Sequence, residues 1–91
     1  MTKKFGYNVK ETPWTDEQWD EYLIRRTTEL MRAKLKKKRD QGRTGWEQET
    51  PEYFWPLLFE HLRKGDPIDI INIAAMILVT QELSKTKEVQ E

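Results

Sequence analysis

The apolar positions of this chain recur with a helical period over three stretches. In the first, Trp19, Tyr22, Leu23, Leu30 and Ala33 fall along one stripe, while Ile24, Met31 and Leu35 lie well round the cylinder on a second. The stretch begins sharply. Thr15 and Gln18 have the spacing of a capping box, Asp16 and Glu17 face the positive helix end, and Trp14 and Trp19 take the two positions of a hydrophobic staple. The pattern predicts a helix from Asp16 to about Arg39. Between the stripes, Glu21, Arg25, Glu29, Arg32 and Lys36 form a charged, solvated face with i,i+3 and i,i+4 spacings.

The run Gln41-Gly42-Arg43-Thr44-Gly45 ends this helix, and Trp46 follows as an anchor for the loop, because an indole left alone there would be exposed. Thr50-Pro51 then opens a second helix, with threonine as cap and proline in the first turn. Tyr53, Phe54, Trp55, Leu57, Leu58, Phe59 and Leu62 give it a dense apolar body. Pro56 falls inside the run and predicts a kink or a separate first turn. Gly65 stops this helix at about residue 64, and Asp66-Pro67 starts a third with a cap and a proline at its first position. From Ile68 to Val79 the third helix is apolar on nearly every side.

These elements predict an all-α fold: a long N-terminal helix, then a tight two-helix hairpin spanning about 51–64 and 67–83. Two helices cannot cover the third. A homo-oligomeric helical bundle is therefore expected, with an interface built from helix three and the Ile24, Met31 and Leu35 stripe of helix one. Residues 1–13 read as an N-terminal arm that Phe5 and Tyr7 pin to the body or to a neighbour, residues 14–83 as a single helical domain, and residues 84–91 as a charged, flexible tail.

With 91 residues the chain makes one small domain, a size that usually leans on a disulfide, a metal or oligomerisation. It has no cysteine, which removes disulfides and thiolate chemistry. Its one histidine, His61, is too few for a zinc site or a Ser-His-Asp arrangement. Sixteen basic and sixteen acidic residues cancel, so net charge does not make the molecule a polyanion binder. The N-terminus lacks the apolar run of a signal peptide, and no stretch reads as the roughly 18 to 20 apolar residues of a membrane span. A cytoplasmic protein is expected.

Three groups of residues carry candidate chemistry. Lys34, Lys36, Lys37, Lys38, Arg39 and Arg43 concentrate charge at the end of helix one, where cations either satisfy the negative helix end or bind phosphate. No Arg-Gly repeat or groove-reading helix accompanies them, so a small phosphorylated ligand fits better than nucleic acid. Asp69 and Asn72 are strongly polar positions in an apolar helix. Such a pair bonds internally to an arginine or tryptophan across the hairpin, stays exposed at the first turn, or meets a ligand or metal. Finally, Glu60, Asp66 and Asp69 lie where a tight hairpin can bring them together, and three carboxylates would attract magnesium. Against that stand the capping role of Asp66 and the cations Arg63 and Lys64.

Gly45-Trp46, Pro51-Glu52 and the run from Glu60 through Gly65-Asp66-Pro67 to Leu78 look like a segment found in many small phage and prophage proteins, over about 34 of the 91 residues. Some of those proteins are similar to the MazG-like, all-α nucleoside triphosphate pyrophosphohydrolases. In that family an E-x-x-E helix packs against an E-x-x-D helix to hold magnesium and the triphosphate. Here Asp66-Pro67-Ile68-Asp69 resembles the second element, and Glu60 would be the first acid of the first element. Arg63 stands where its second acid should be, and the connection is shorter than the family's. Glu49-Thr50-Pro51-Glu52 also spells E-x-x-E, at a helix start.

Together these readings point to a non-catalytic, phage-type binder of nucleotides or other phosphorylated small molecules, one able to sequester a host signal in counter-defence. Lys37, Lys38, Arg39 and Arg43 would meet phosphates, Trp46 or Tyr53 would stack on a base, and Glu60, Asp69 and Asn72 would supply polar contacts. No cofactor is required. Magnesium at Glu60, Asp66 and Asp69 is the variant that the resemblance implies. The alternatives are a protein-interaction module that inhibits a host protein, using Phe5, Tyr7 and Trp14, and a working pyrophosphohydrolase.

Overall fold

A computed structural model describes residues 13–90 of the chain together with two paired two-residue strands, and side chains are described for residues 13–86. The strands, β1 (Lys3–Lys4) and β2 (Tyr7–Asn8), run antiparallel with Lys3 opposite Asn8 and Lys4 opposite Tyr7. Side-chain roles expected of Phe5 and Tyr7 lie outside the described residues. The fold is all-α. Its helices are α1 (Asp16–Asp40), α2 (Pro51–Lys64) and α3 (Pro67–Gln90), with a single 3-10 turn at Trp46–Gln48 between the first two.

The helix ends follow the local chemistry. Thr15 Oγ1 accepts from the Gln18 backbone N–H at 3.1 Å while Gln18 Oε1 accepts from the Thr15 N–H at 2.8 Å, so the capping box closes. Trp14 and Trp19 meet with ring centroids 4.5 Å apart, completing the staple. Gly65 ends α2 with φ of 78°, a left-handed conformation that glycine adopts without strain. One residue later Asp66 Oδ1 accepts from the Ile68 N–H at 3.0 Å and caps α3.

Four expectations are corrected. Thr50 sits at the N-cap of α2, but its side chain makes no capping bond; the Tyr53 N–H instead bonds the Thr50 carbonyl. The α2 helix runs on through Pro56, so its first turn is not a separate element. The bond that proline deletes is to Glu52, in the first turn, where losing one costs least. The α3 helix continues beyond residue 83 to Gln90 instead of giving way to a tail. Over Pro67–Thr86, α3 is also long and apolar enough, by length and composition alone, to cross a membrane.

The core is small. Phe54 of α2 packs on Ile73 and Ile77 of α3, and Trp46, Leu57, Leu58 and Met76 are partly buried against them. The anchoring expected of Trp46 is thus its observed position. Helix α1 lies against α3 through Thr27, Met31, Lys34, Leu35 and Lys38, which are its half-buried positions, and every residue from Pro13 to Arg26 is exposed. Of the stripe expected at the interface, Met31 and Leu35 are half-buried within the chain and Ile24 stays exposed, and the Trp19, Tyr22, Leu23 and Leu30 stripe is open as well.

Helix α3 turns Asp69, Asn72 and Thr80 inward, all buried, and leaves Leu78, Val79 and Leu83 exposed. Thr80 is satisfied locally, because its hydroxyl donates to the Met76 carbonyl at 2.7 Å. Asn72 has no such partner and Asp69 is met by neighbouring charges without a hydrogen bond to its buried Oδ1, and the two define the site.

Candidate functional site

The three helices and the loop after α1 enclose an open cleft of about 590 Å³. Its walls are assembled by helical period. On α2 the inward stripe is Phe54, Leu57, Leu58 and His61, spaced i, i+3, i+4 and i+7, so His61 reaches the cleft while neighbouring Glu60 is exposed. On α1 the stripe Met31, Lys34, Leu35, Lys38 puts Lys38 at the cleft and turns Lys37 to solvent. On α3, Asp69, Asn72, Ile73 and Met76 line it. The loop adds Arg43, Thr44, Gly45 and Trp46, and Glu47, Glu49 and Tyr53 complete the rim. Gly45, with φ of 91°, makes the turn that brings Trp46 back over the hairpin.

A charge network reaches the cleft through Lys38, His61 and Asp69 and continues beside it through Lys34 and Asp66. Lys34 Nζ lies 3.1 Å from Asp66 Oδ2 and 3.6 Å from Asp69 Oδ1, Lys38 Nζ lies 3.4 Å from Asp69 Oδ1, and His61 Nδ1 lies 3.7 Å from Asp69 Oδ2. Lysine and histidine, not arginine or tryptophan, therefore answer Asp69. Only the Lys34–Asp66 contact is also a hydrogen bond. It holds the Asp66 carboxyl below its ordinary 3.8, opposed by burial, and lifts Lys34 above its ordinary 10.5.

Four buried atoms here have no hydrogen-bond partner among the described residues: His61 Nδ1, Asp69 Oδ1, and both Nδ2 and Oδ1 of Asn72. Asn72 is 2% exposed. A buried amide without a hydrogen-bond partner is costly, which sets Asn72 apart from the satisfied Thr80 on the same helix. No family model, curated protein or solved structure matches this chain. The resemblance to MazG-like enzymes rests on the residues quoted for it.

Of the residues singled out from sequence, Lys38, Arg39, Arg43, Trp46, Tyr53, Asp69 and Asn72 are brought together in the cleft, and Lys37 and Glu60 are not. The three-carboxylate magnesium cluster is not assembled. Among the described residues no group of three histidine or acidic side chains is placed to hold a metal ion. Glu60 is exposed and outside the cleft lining, and Asp66 and Asp69 are both engaged by Lys34.

Two contributors escaped the sequence reading. Lys34 was one of several cations, and His61 was set aside as a lone histidine. The i, i+4, i+7 spacing of Phe54, Leu58 and His61 was the signal that places the imidazole inward. The lining carries Lys38, Arg39 and Arg43 against Glu47, Glu49 and Asp69. Asp69 is already answered by Lys34 and Lys38, while Arg39 and Arg43 have no ion-pair partner among the described residues.

Proposed function

We infer that this chain binds a small phosphorylated ligand of the nucleotide class in the cleft, without catalysing its conversion, and that it works as a cytoplasmic homo-oligomer. The observation that carries the reading is the buried, unpartnered amide of Asn72 at a cleft whose rim holds two unpaired guanidinium groups and two aromatic rings. Each part suits a piece of such a ligand. Arg39 and Arg43 offer forked donors to phosphate oxygens, Trp46 or Tyr53 offers a face to a base, and Asn72 offers one acceptor and two donors to a polar edge. In a phage setting, such a binder would sequester a host nucleotide signal. Native mass spectrometry of the protein purified from cells, followed by calorimetry with linear and cyclic nucleotides, tests it. A co-purified nucleotide or a Kd below about 100 μM, roughly 5 to 6 kcal/mol, is expected. Neither appearing would move the assignment to the second reading.

That second reading is a protein-interaction module, favoured by Trp55, Phe59 and Leu62, which are exposed at i, i+4 and i+7 on α2. Pyrophosphohydrolysis fits least well. Two of the three acids the resemblance would assign to magnesium, Asp66 and Asp69, are engaged by Lys34, Glu60 is exposed, and Arg63 stands at a ligand position. Magnesium-dependent pyrophosphate release from a deoxynucleotide, abolished by Asp69→Ala, would restore it.

A further inference from the structure

We propose that two copies of this chain pair reciprocally, the exposed N-terminal half of α1 of each lying antiparallel across the outer face of the other's α2. The inference rests on the homo-oligomeric reading above and specifies which surfaces meet. Three observations support a second copy as the occupant. First, Trp19 and Leu23 on α1 are 41% and 65% exposed, on a helical segment none of whose residues before Thr27 is buried or half-buried. The segment extends beyond the part of α1 that packs on α3, so it presents an open apolar stripe to a second surface. Second, α2 carries an open apolar stripe of its own: Trp55, Phe59 and Leu62 span about 10 Å at 1.5 Å per residue, long enough to cover the roughly 6 Å from Trp19 to Leu23 on α1.

Third, the flanking charges choose both the partner and its direction. Asp20 and Glu21 stand at the outer end of α1, whereas Arg63 and Lys64 stand at the C-terminal end of α2, all exposed and without ion-pair partners among the described residues. Antiparallel pairing sets these acids beside these bases, while parallel pairing would set them beside Glu52. The area is sufficient. A half-exposed large apolar side chain leaves on the order of 100 Å² open. Two such stripes on each copy, with their polar rims, approach the roughly 800 Å² per partner of a stable interface.

The chain has no cysteine, so introduced thiols report without background. Chains carrying Leu23→Cys and Phe59→Cys, distinguishable by mass tag, are coexpressed, oxidised mildly and resolved by mass spectrometry. Asp20→Cys with Arg63→Cys, and Asp20→Cys with Glu52→Cys, are treated in the same way. Light scattering of the unmodified chain gives the mass in solution. The expected result is a dimer in which the 23–59 and 20–63 mixed disulfides dominate. A monomer overturns the proposal together with the oligomeric reading. A dimer dominated by 23–23 or 59–59 disulfides overturns the face pairing alone, and 20–52 outrunning 20–63 overturns its direction.

Discussion

The amide of Asn72 shows how a single side chain can set stability against function. With both polar atoms buried and unpartnered, it costs the free protein about 1 to 3 kcal/mol. Asn72→Leu, close in size and apolar, should therefore raise stability by about 1 kcal/mol, a rise of roughly 4 to 8 °C in Tm for a domain of this size, and abolish nucleotide binding in calorimetry. A lower Tm would mean that the amide is satisfied in the free protein. The neighbouring ion pair makes a pH prediction. A carboxyl whose pKa is depressed by folding stabilises above its unfolded value and loses that contribution as pH falls through the folded value. Asp66, lowered from 3.8 by Lys34, behaves so. Lys34, raised from 10.5 mainly by Asp66, contributes below that pH and loses its share as pH rises through the raised value. Lys34→Met should accordingly flatten the urea midpoint against pH at both extremes, and an unchanged profile would disconnect the pair from stability. At this scale much of the cleft's lining was legible, because Asn72 is a polar residue in an apolar helix, Trp46 a lone indole in a loop, and Lys38, Arg39 and Arg43 a run of cations at one helix end. Lys37 and Glu60 were misplaced because adjacent residues point about 100° apart, and composition is blind to which one faces inward.

Helix ends proved legible for a related reason: their chemistry is local. Thr15 with Gln18, Pro51, and Gly65-Asp66-Pro67 each settle a boundary within one turn, and the observed helices start at Asp16, Pro51 and Pro67. The far end of α3 was not legible, since no glycine or proline marks it and the helix carries on through a charged sequence to Gln90. Nor was the inward face of α1, because two stripes of similar apolarity compete and only packing against α3 selects Met31 and Leu35. The hairpin connection offers the cleanest test of an element. Gly65 holds φ of 78°, and a Cβ built there meets nothing within 4 Å, so any penalty for a side chain is one of backbone conformation alone. Gly65→Ala should cost about 1 kcal/mol, and Gly65→Asn less, because asparagine tolerates the left-handed region better than alanine. Equal chemical denaturation midpoints for the three proteins would show that the turn relaxes to another form.

The whole molecule measures 51 × 33 × 23 Å and buries little for that length. Only Phe54, Ile73 and Ile77 form its fully buried apolar core among the described residues. The exposed stripes of α1 and α2 mark where the proposed association would bury more apolar surface. Stability and assembly are then linked, and Tm should rise with protein concentration, as it does for any fold stabilised by its own copies. Two substitutions separate the contributions. Ile73→Asp places a charge against Phe54 and Ile77 within one chain and should abolish helical circular dichroism at every concentration. Phe59 is 60% exposed, so Phe59→Asp should leave the dilute chain no less helical than the parent chain at the same dilution while removing the concentration dependence of Tm. If Phe59→Asp retains that dependence, assembly uses another surface. If the parent chain has none, the three helices stand alone and the small core is stronger than its burial implies.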